Sequence, residues 1–242
     1  MNFEQYQTLS SPVAHAPSSF ELCTHMTILL ATANAHKIEE ISAMLRNIPH
    51  LEIVDLRELG VVMPPETGST MRENARIKAR SVMQQTGLIS LADDSGIEVD
   101  ILDGEPGVRS ARWINGSDDD RTLALLARVD TATKIANTTS STRFNDDMRT
   151  ARYRCAICVA FPDGKVLETE GTCEGRIAHA PRGENGFGYD PIFEITPATG
   201  APIEYSNCTM AEVSSEVKAQ VSHRARAITE MVKLLTKQSD TE

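Results

Sequence analysis

The chain has 242 residues, of which 40% are apolar, and a formal net charge of −10 at pH 7. This length suits one large domain or at most two, and the apolar fraction excludes a disordered or fibrous chain because it supplies a sizeable core. The acidic surplus argues against a protein that binds along DNA or RNA, since such proteins carry a basic surface. It does not exclude a small nucleotide ligand, because a few lysines and arginines in one cleft can dominate the local field.

The first 25 residues have the composition of a polar, flexible tail. They contain no Lys or Arg and lack the basic segment and the apolar run of a secretory signal. No apolar stretch of the sequence approaches the ~18–20 residues that span a bilayer. Five cysteines, an odd number without a secretory signal, favour reduced thiols. We therefore expect a cytoplasmic protein that does not bind membranes.

Along the first half of the chain, short apolar runs alternate with segments of helical periodicity. Strands are predicted at residues 26–32, 51–56 and 88–92, and helices at 38–48, 71–86 and 118–129. Gly87 is predicted to end the second helix, and Asp118 to cap the third. Alternation of this kind is typical of an α/β fold.

The second half begins with a segment of different character, residues 130–150, which holds many Ser and Thr and few large apolar residues. We predict a flexible insertion there. It is followed by a hairpin of strands at 151–161 and 166–178, a short strand at 192–195 and a final helix after Ser222. Together the elements predict a mixed α/β sheet in one domain over residues 26–237, with a C-terminal tail at 238–242.

Two of the cysteines, Cys155 and Cys158, form a CxxC pattern within the predicted strand 151–161. Residues three apart on a strand point to opposite faces of the sheet. No second CxxC and no nearby histidine completes a zinc site in the sequence. We therefore interpret this pair as structural thiols.

The junction between the first strand and the first helix, Thr32 to Lys37, is a candidate phosphate site. A helix N-terminus presents free backbone N–H groups and favours anions, and small residues there let a phosphate approach the backbone. Lys37 adds a positive charge, and Thr32 and Asn34 add hydrogen-bonding groups. The segment lacks the Walker A pattern, and on its own it fits a solvated lysine at an ordinary helix start about equally well.

Acidic residues at two places are candidates for catalysis and for binding Mg²⁺. Asp93 and Asp94 follow an apolar run, and ligands of α/β sheets bind at the ends of strands. One of the two carboxylates is expected to face the cleft, where it would hold Mg²⁺ or orient a water, while the other supports the local turn. Glu66, in a Pro-Pro-Glu-Thr-Gly loop, is the second candidate metal ligand. A plain Asp-Ser-Gly turn is the alternative interpretation of the aspartate pair.

A glycine-rich loop, NGFGYDP, and a basic cluster occur in the last third of the chain. In the loop, Phe187 is suited to stack on a base, and Asp190 is suited to accept a hydrogen bond from a ring N–H. Lys218, His223 and Arg224 are suited to bind polyphosphate or a carbonyl group. The alternatives are a glycine-rich turn with a core aromatic residue and a solvated basic face.

Five segments, in their order and spacing, resemble the inosine triphosphate pyrophosphatase family, whose members hydrolyse non-standard purine nucleoside triphosphates such as ITP, dITP, XTP and dXTP. The segments are TANAHK at 32–37, ETGSTMRENARIKAR at 66–80, LADDSGIEVDILDGEPGVRSARW at 91–113, GFGYDPIF at 186–193 and VSHRARA at 221–227. The resemblance implies a long, mixed, curved sheet flanked by helices in two lobes, with a central nucleotide-binding cleft. It also implies a homodimer and Mg²⁺-dependent hydrolysis to a nucleoside monophosphate and pyrophosphate.

The resemblance also implies roles for single residues, carried over by position. Asp94 would be the catalytic proton acceptor and a metal ligand. The substrate-binding residues would be Thr32, Ala33, Asn34, Ala35, His36, Lys37, Ser95, Phe187, Gly188, Tyr189, Asp190, Lys218, His223 and Arg224. Many relatives carry two acidic residues before the Thr-Gly pair; here the first position is Pro65, so Glu66 is left as the second candidate metal ligand.

Two other functions are kept as alternatives. The first is a hydrolase that removes other nucleotides, pyrimidine or modified, by the same chemistry. The second is a nucleotide-binding regulator without turnover, against which the presence of both Asp94 and Lys37 argues. In each case the expected partner is a free nucleotide and not a nucleic acid.

Overall fold

The computed structural model describes residues 26–139 and 146–237. The predicted N-terminal and C-terminal tails and the centre of the predicted insertion lie outside the described residues. The strands are β1 Met26–Leu30, β2 Leu51–Asp55, β3 Ile89–Val99, β4 Thr150–Ala160, β5 Val166–Ile177 and β6 Phe193–Ile195. The helices are α1 Ala35–Leu45, α2 Met71–Thr86, α3 Asp118–Thr139, α4 Ser215–Val221 and α5 His223–Lys237. None of these helices is long and apolar enough to cross a bilayer.

Within the described residues the strands form one six-stranded mixed sheet in the order β2-β1-β3-β4-β5-β6. The pairs β1–β2 and β1–β3 are parallel because a helix carries the chain back between successive strands. The pairs from β3 to β6 are antiparallel, and the predicted hairpin turn joins β4 to β5. The prediction of a mixed α/β sheet is therefore confirmed.

Two layers of helices cover the first half of the sheet, one on each face. On one face, Cys155 and Ile157 of β4 pack with the apolar sides of α1 and α5. On the other face, Ala156 and Cys158 pack with Ala79 and its neighbours on α2. Successive residues of β4 point to opposite faces, as strand geometry requires. The two cysteines of the CxxC pattern are thus buried on opposite faces, and both are free thiols.

A third apolar cluster covers the far half of the long strands. It joins Val99 of β3, Val129 of α3, Tyr153 of β4 and Phe193 of β6. This cluster is separate from the two that involve α1, α2 and α5. The molecule therefore has a core on either side of the central stretch of β3, and the cleft lies between them.

The apolar run predicted at 88–92 is the start of a longer strand. β3 continues without a break to Val99 because β4 pairs with it along its whole length, with Asp94 opposite Ala156. Asp93 and Asp94 therefore lie in the middle of a strand, and not at its end as the sequence indicated. The strand that does end there is β1, whose pairing with β3 stops at Leu30. The open edge beyond Leu30 is what exposes this part of β3 to a ligand.

The predicted insertion is smaller than expected. α3 continues to Thr139, so residues 130–139 are helical, and the hydroxyl of Thr133 donates to the carbonyl of Val129 within the helix. A short 3-10 turn then precedes β4, where the buried guanidinium of Arg149 donates to the carbonyl of Ile177. The prediction of irregular structure over the whole of 130–150 is wrong, because threonine side chains can bond to their own helix and do not by themselves end it.

Most of the helix ends that were predicted from local sequence signals are correct. α2 has the predicted bounds and ends at Gly87, which has a left-handed backbone. α5 begins after Ser222, whose hydroxyl accepts from the N–H of Ala225. The cap of α3 is Ser117 and not Asp118, since the Ser117 hydroxyl accepts from the N–H of Asp120. The short helix α4 was not predicted.

Candidate active site

One cleft, of about 320 Å³, lies where β1 ends beside the centre of β3. It collects most of the residues that the sequence singled out, from separate segments of the chain. The predicted residues in its wall are Thr32, Ala33, Asn34, Lys37, Glu66, Asp94, Ser95, Phe187, Gly188, Tyr189, Asp190, Lys218, His223 and Arg224. Ala35 and His36 are not part of this wall. Ala35 begins α1, and the ring of His36 stacks on Phe187 with the centroids 5.1 Å apart.

The turn between β1 and α1 is preorganised by its own side chains. The Thr32 hydroxyl accepts from the N–H of Asn34 at 3.2 Å, and Asn34 caps α1 by accepting from the N–H of Lys37 at 3.2 Å. These two bonds fix the start of the helix, and Asn34 and Lys37 of this turn lie in the wall of the cleft. The turn is therefore suited to bind an anion, as the sequence indicated.

Asp93 is fully buried behind this turn and is paired with two cations. Its Oδ2 lies 2.9 Å from Nζ of Lys37 and 3.1 Å from Nη2 of Arg224. Burial alone would raise the pKa of Asp93, but the charges of Lys37 and Arg224 outweigh it and hold that pKa well below its ordinary value. Asp93 is thus a permanent anion, and its ion pairs connect the turn between β1 and α1 to the start of α5.

Asp94 points to the other side of β3 and faces the cleft. Its Oδ1 lies 3.2 Å from Nζ of Lys78, and its Oδ2 accepts from the side-chain amide of Asn74 at 3.1 Å. Burial raises the pKa of Asp94, and the neighbouring Glu66 carboxylate adds to this, while Lys78 opposes it. A cleft-facing carboxylate with a raised pKa is chemically suited to accept a proton.

Lys78 and Asn74 both contact Asp94, and the sequence prediction assigned neither of them a role. Lys78 is only 6% exposed although it is a lysine, and it lies on the same buried stripe of α2 as Ala75 and Ala79. A charged residue on an otherwise apolar helix face was the available signal, since lysine is rarely buried without a partner. Asn74 holds Asp94 with its amide N–H and accepts from the N–H of Gly68 with its oxygen.

Glu66 lies across from Asp94 in the loop before α2. Its two oxygens contact Lys78, at 2.8 Å, and Arg112. Burial alone would raise the pKa of Glu66, but the charges of Lys78 and Arg112 outweigh it, so that pKa is lowered. Glu66 is therefore charged near neutral pH.

The donor set formed by Asp94 and Glu66 fits Mg²⁺. Both carboxylates contact the same Nζ atom of Lys78, so they face one point in the cleft. In the described parts of the chain no group of three or more His, Cys, Asp or Glu side chains forms a complete metal cage. Mg²⁺ does not need one, because it commonly takes one or two carboxylates and completes its shell with substrate phosphates and water.

A second group of polar side chains in the cleft wall is built around Asp190. Its Oδ2 accepts from the N–H of Phe187 at 2.9 Å and pairs with Nζ of Lys218 at 2.5 Å, and the Tyr153 hydroxyl donates to Oδ1 at 3.3 Å. Nζ of Lys218 also lies 4.7 Å from the centre of the Phe187 ring. This arrangement places an aromatic face, a carboxylate and a cation side by side, which suits a flat polar ring.

His223 is buried beside this second group of side chains. Its ring stacks on Tyr153 with the centroids 4.6 Å apart, and its Nδ1 has no hydrogen-bond partner within the described residues. Burial, reinforced by the charges of Arg224 and Lys218, lowers the pKa of His223 well below its ordinary value. His223 is therefore neutral, and its buried Nδ1 is left without a hydrogen-bond partner among the described residues.

Arg224 is the most enclosed cation of the cleft, with 1% of its surface exposed. Its guanidinium donates to Asp93, to Ser95 at 3.0 Å and to Glu40 at 2.5 Å. Glu40 also pairs with Lys218 at 2.8 Å, so this carboxylate of α1 holds both cations from behind. Glu40 was not among the predicted residues, because its role depends on contacts with a helix that is remote in sequence.

The chain is similar to known proteins along most of its length. A sequence profile of the Ham1 family matches residues 28–234. A dITP/XTP pyrophosphatase of Symbiobacterium thermophilum is 44% identical over 201 residues, which cover 83% of this chain and 90% of that protein. A dITP/XTP pyrophosphatase of Geobacillus kaustophilus is 40% identical over 207 residues, which cover 84% of this chain and 91% of that protein.

Solved structures agree with the sequence comparison. The structure of a HAM1 protein from Coxiella burnetii matches with a TM-score of 0.72 at 36% identity, and the match covers 88% of this chain and 99% of that one. The α/β sheet and its flanking helices are thus the fold that the sequence resemblance implied. The resemblance itself is confirmed: the chain belongs to the Ham1 family.

Proposed function

We propose that this protein hydrolyses non-standard purine nucleoside triphosphates (ITP, dITP, XTP and dXTP) to the nucleoside monophosphate and pyrophosphate. The observation that carries the proposal is that one cleft brings two sets of side chains together. Lys37, Lys78 and a helix N-terminus form one set, called the phosphate end, and the Asp190–Lys218 pair with His223 forms the other, called the base end. A polyphosphate suits the first set and a purine base suits the second.

Asp94 is proposed as the group that accepts a proton from the attacking water. It lies at the phosphate end, is held in place by Asn74, and has a raised pKa. Lys37 and Lys78 would neutralise the polyphosphate, so that a nucleophile can approach and the leaving pyrophosphate is stabilised. The same two lysines are paired with Asp93, Asp94 and Glu66, and these ion pairs hold both ammonium groups in the cleft.

Mg²⁺ is proposed as the cofactor, held by Asp94 and Glu66. The donor set and the shared contact with Lys78 support this assignment. A bound Mg²⁺ would neutralise charge on the phosphates and polarise the bond that breaks. Lys78 would remain as a second positive charge beside the two carboxylates.

The base end supports a preference for 6-oxopurines. Lys218 and Arg224 are permanent donors, and they suit the oxygen of hypoxanthine or xanthine. The amino group of adenine would meet these donors unfavourably, and a buried polar mismatch of this kind discriminates strongly. The similarity to two dITP/XTP pyrophosphatases supports the same substrate class.

The experiment that tests this proposal is hydrolysis of a panel of nucleotides by the purified full-length chain. We expect Mg²⁺-dependent release of pyrophosphate from dITP and XTP and loss of activity in EDTA. Faster turnover of dUTP or dCTP would favour a pyrimidine hydrolase. Tight binding of dITP without any turnover would favour a nucleotide-binding regulator.

The proposal includes a homodimer that acts on free nucleotides in the cytoplasm. The family resemblance supports the homodimer. Size-exclusion chromatography with light scattering measures its mass: we expect about twice the chain mass of 26.5 kDa. A mass equal to one chain would contradict it.

A further inference from the structure

The loop at the base end is held by a helix to which the sequence analysis assigned no functional role. The N–H of Gly188 donates to Oδ2 of Asp118 at 3.1 Å, and the carbonyl of Gly188 accepts from the hydroxyl of Thr122 at 3.0 Å. Asp118 and Thr122 lie one turn apart at the start of α3. Both polar groups of one loop residue are thus bound to a single helix.

Gly188 is the loop residue that these two hydrogen bonds hold in place. Its φ of +62° is in the left-handed region, which only glycine adopts without strain. Phe187 precedes it, and Tyr189 and Asp190 follow it in the wall of the cleft. A change in the orientation of the Gly188 peptide groups would therefore move the aromatic ring and the carboxylate that face the base.

The two side chains that bind Gly188, those of Asp118 and Thr122, are themselves held in place. Arg121 pairs with Asp118 and also donates to the carbonyl of Gly116 at 2.7 Å. Thr122 is 3% exposed, so its hydroxyl bond is shielded from water. Asp118 and Arg121 also line the cleft.

We propose that Asp118 and Thr122 are positioning residues, which fix the Gly188 peptide and thereby set Phe187 and Asp190 for the base. This inference rests on the proposed function, since it assumes that the base binds at this end of the cleft. Neither residue contacts Lys37, Lys78 or Asp94 in the hydrogen bonds and ion pairs of the described residues. Their loss should therefore weaken binding of the base and leave the phosphate end intact.

The test is Thr122→Val, which removes one hydroxyl at nearly constant shape. We expect KM for dITP to rise about fivefold, the usual effect of one hydrogen bond, with kcat changed by less than about twofold. The inhibition constant of inorganic triphosphate, which has no base, should stay at the wild-type value. A purely structural loss would lower kcat through the fraction of active protein and leave KM unchanged.

Thr133→Val is the matched control, because among the described residues the Thr133 hydroxyl bonds within α3, to the carbonyl of Val129. This variant should keep both constants of the wild type.

Asp118→Ala is the second variant and should also raise KM for dITP without affecting inhibition by triphosphate. Wild-type values of KM in both Thr122→Val and Asp118→Ala would overturn the inference. Failure of the wild-type protein to hydrolyse dITP would instead overturn the proposed function, so the two failures are distinguishable.

Discussion

Two adjacent aspartates of β3 have opposite environments although they differ by one position in sequence. Asp93 is paired with Lys37 and Arg224, which lower its pKa, whereas burial raises the pKa of Asp94. The alternation of a strand explains the difference, because neighbouring side chains point to opposite sides. Asp93 therefore organises the cations, and Asp94 is left as the group that can exchange a proton.

The first prediction concerns Asp94 itself. Asp94→Asn keeps the shape and the bond from Asn74 but removes the proton acceptor. We expect kcat for dITP to fall by a factor on the order of 10² to 10⁴, the usual contribution of a general base. Steady-state kinetics measure this, and thermal unfolding confirms that the variant is folded. Full activity of Asp94→Asn would contradict the role proposed for this residue.

The second prediction concerns Glu40, which holds Lys218 and Arg224 from outside the cleft. Glu40→Gln should raise KM for dITP by about tenfold, because two buried cations lose the charge that orients them. The neighbouring Glu39 is exposed and offers a matched control. Glu39→Gln should behave as wild type; equal effects of the two substitutions would show that Glu40 does not position the cations.

At the scale of elements, α2 determines the geometry of the phosphate end. It carries both Asn74 and Lys78, and its start is fixed by a capping box between Thr70 and Glu73. The Thr70 hydroxyl accepts from the N–H of Glu73 at 3.1 Å, while the Glu73 carboxylate accepts from the N–H of Thr70. The cap therefore connects local helix stability to the position of the residues around Asp94.

The third prediction follows from this cap. Thr70→Ala should lower the free energy of unfolding by about 1 kcal/mol, the usual value of an N-cap side chain. Urea denaturation monitored by circular dichroism measures it. Thr131→Ala, at an exposed position inside α3, is the control and should change the stability by less than about 0.5 kcal/mol. A loss at position 131 as large as at position 70 would contradict the cap as the cause.

At the scale of the whole molecule, the chain is acidic, with a net charge of −10, yet the cleft contains an ordered series of cations and anions. Cations and anions alternate from the phosphate end to the base end through direct contacts. The series is Lys37, Asp93, Arg224, Glu40, Lys218 and Asp190. An acidic protein can bind a polyphosphate because these cations are concentrated in one place and are fixed by buried partners.

The fourth prediction concerns the stability of the molecule as a function of pH. The pKa of His223 is far below 6.5 in the folded protein, whereas the unfolded chain binds a proton at about pH 6.5. The unfolded state therefore binds more protons below that pH, and stability falls as the pH decreases. Asp93 and Glu40 have lowered pKa values, so their contribution is lost only below about pH 4.

Urea denaturation at a series of pH values between about 5 and 7.5 measures this dependence. We expect a slope of up to about 1.4 kcal/mol per pH unit from His223 below pH 6.5. His223→Gln cannot titrate and should reduce that slope, whatever its effect on stability at pH 7.5. An equal slope in the two proteins would show that another group causes the loss.

The order of helices and strands was largely predictable from the sequence because the signals are local. Gly87 and the apolar stripe of α2 are of this kind. The continuity of β3 through Asp94 was not predictable, since it depends on pairing with a strand more than fifty residues away. The length of α3 was also missed, because its threonines bond within the helix.

The candidate site was predictable to the extent that its residues form recognisable motifs. Lys37, Asp94 and Asp190 lie in such motifs and line the cleft. Glu40 was not predicted, and Lys78 was assigned no role although it lies in the recognised segment 66–80, because the contacts of both side chains are with other elements. The two hydrogen bonds between α3 and Gly188 are likewise tertiary contacts that no local sequence pattern indicates.

The central claim is that the cleft selects 6-oxopurine triphosphates over adenine nucleotides, and a competition experiment tests it most directly. Equimolar dITP and dATP are incubated with the protein and Mg²⁺, and the nucleoside monophosphates are separated by chromatography. We predict that dIMP and pyrophosphate form at least about a hundredfold faster than dAMP, because the donors at the base end reject the amino group of adenine. Comparable formation of dAMP, or release of dIDP and inorganic phosphate, would contradict this account.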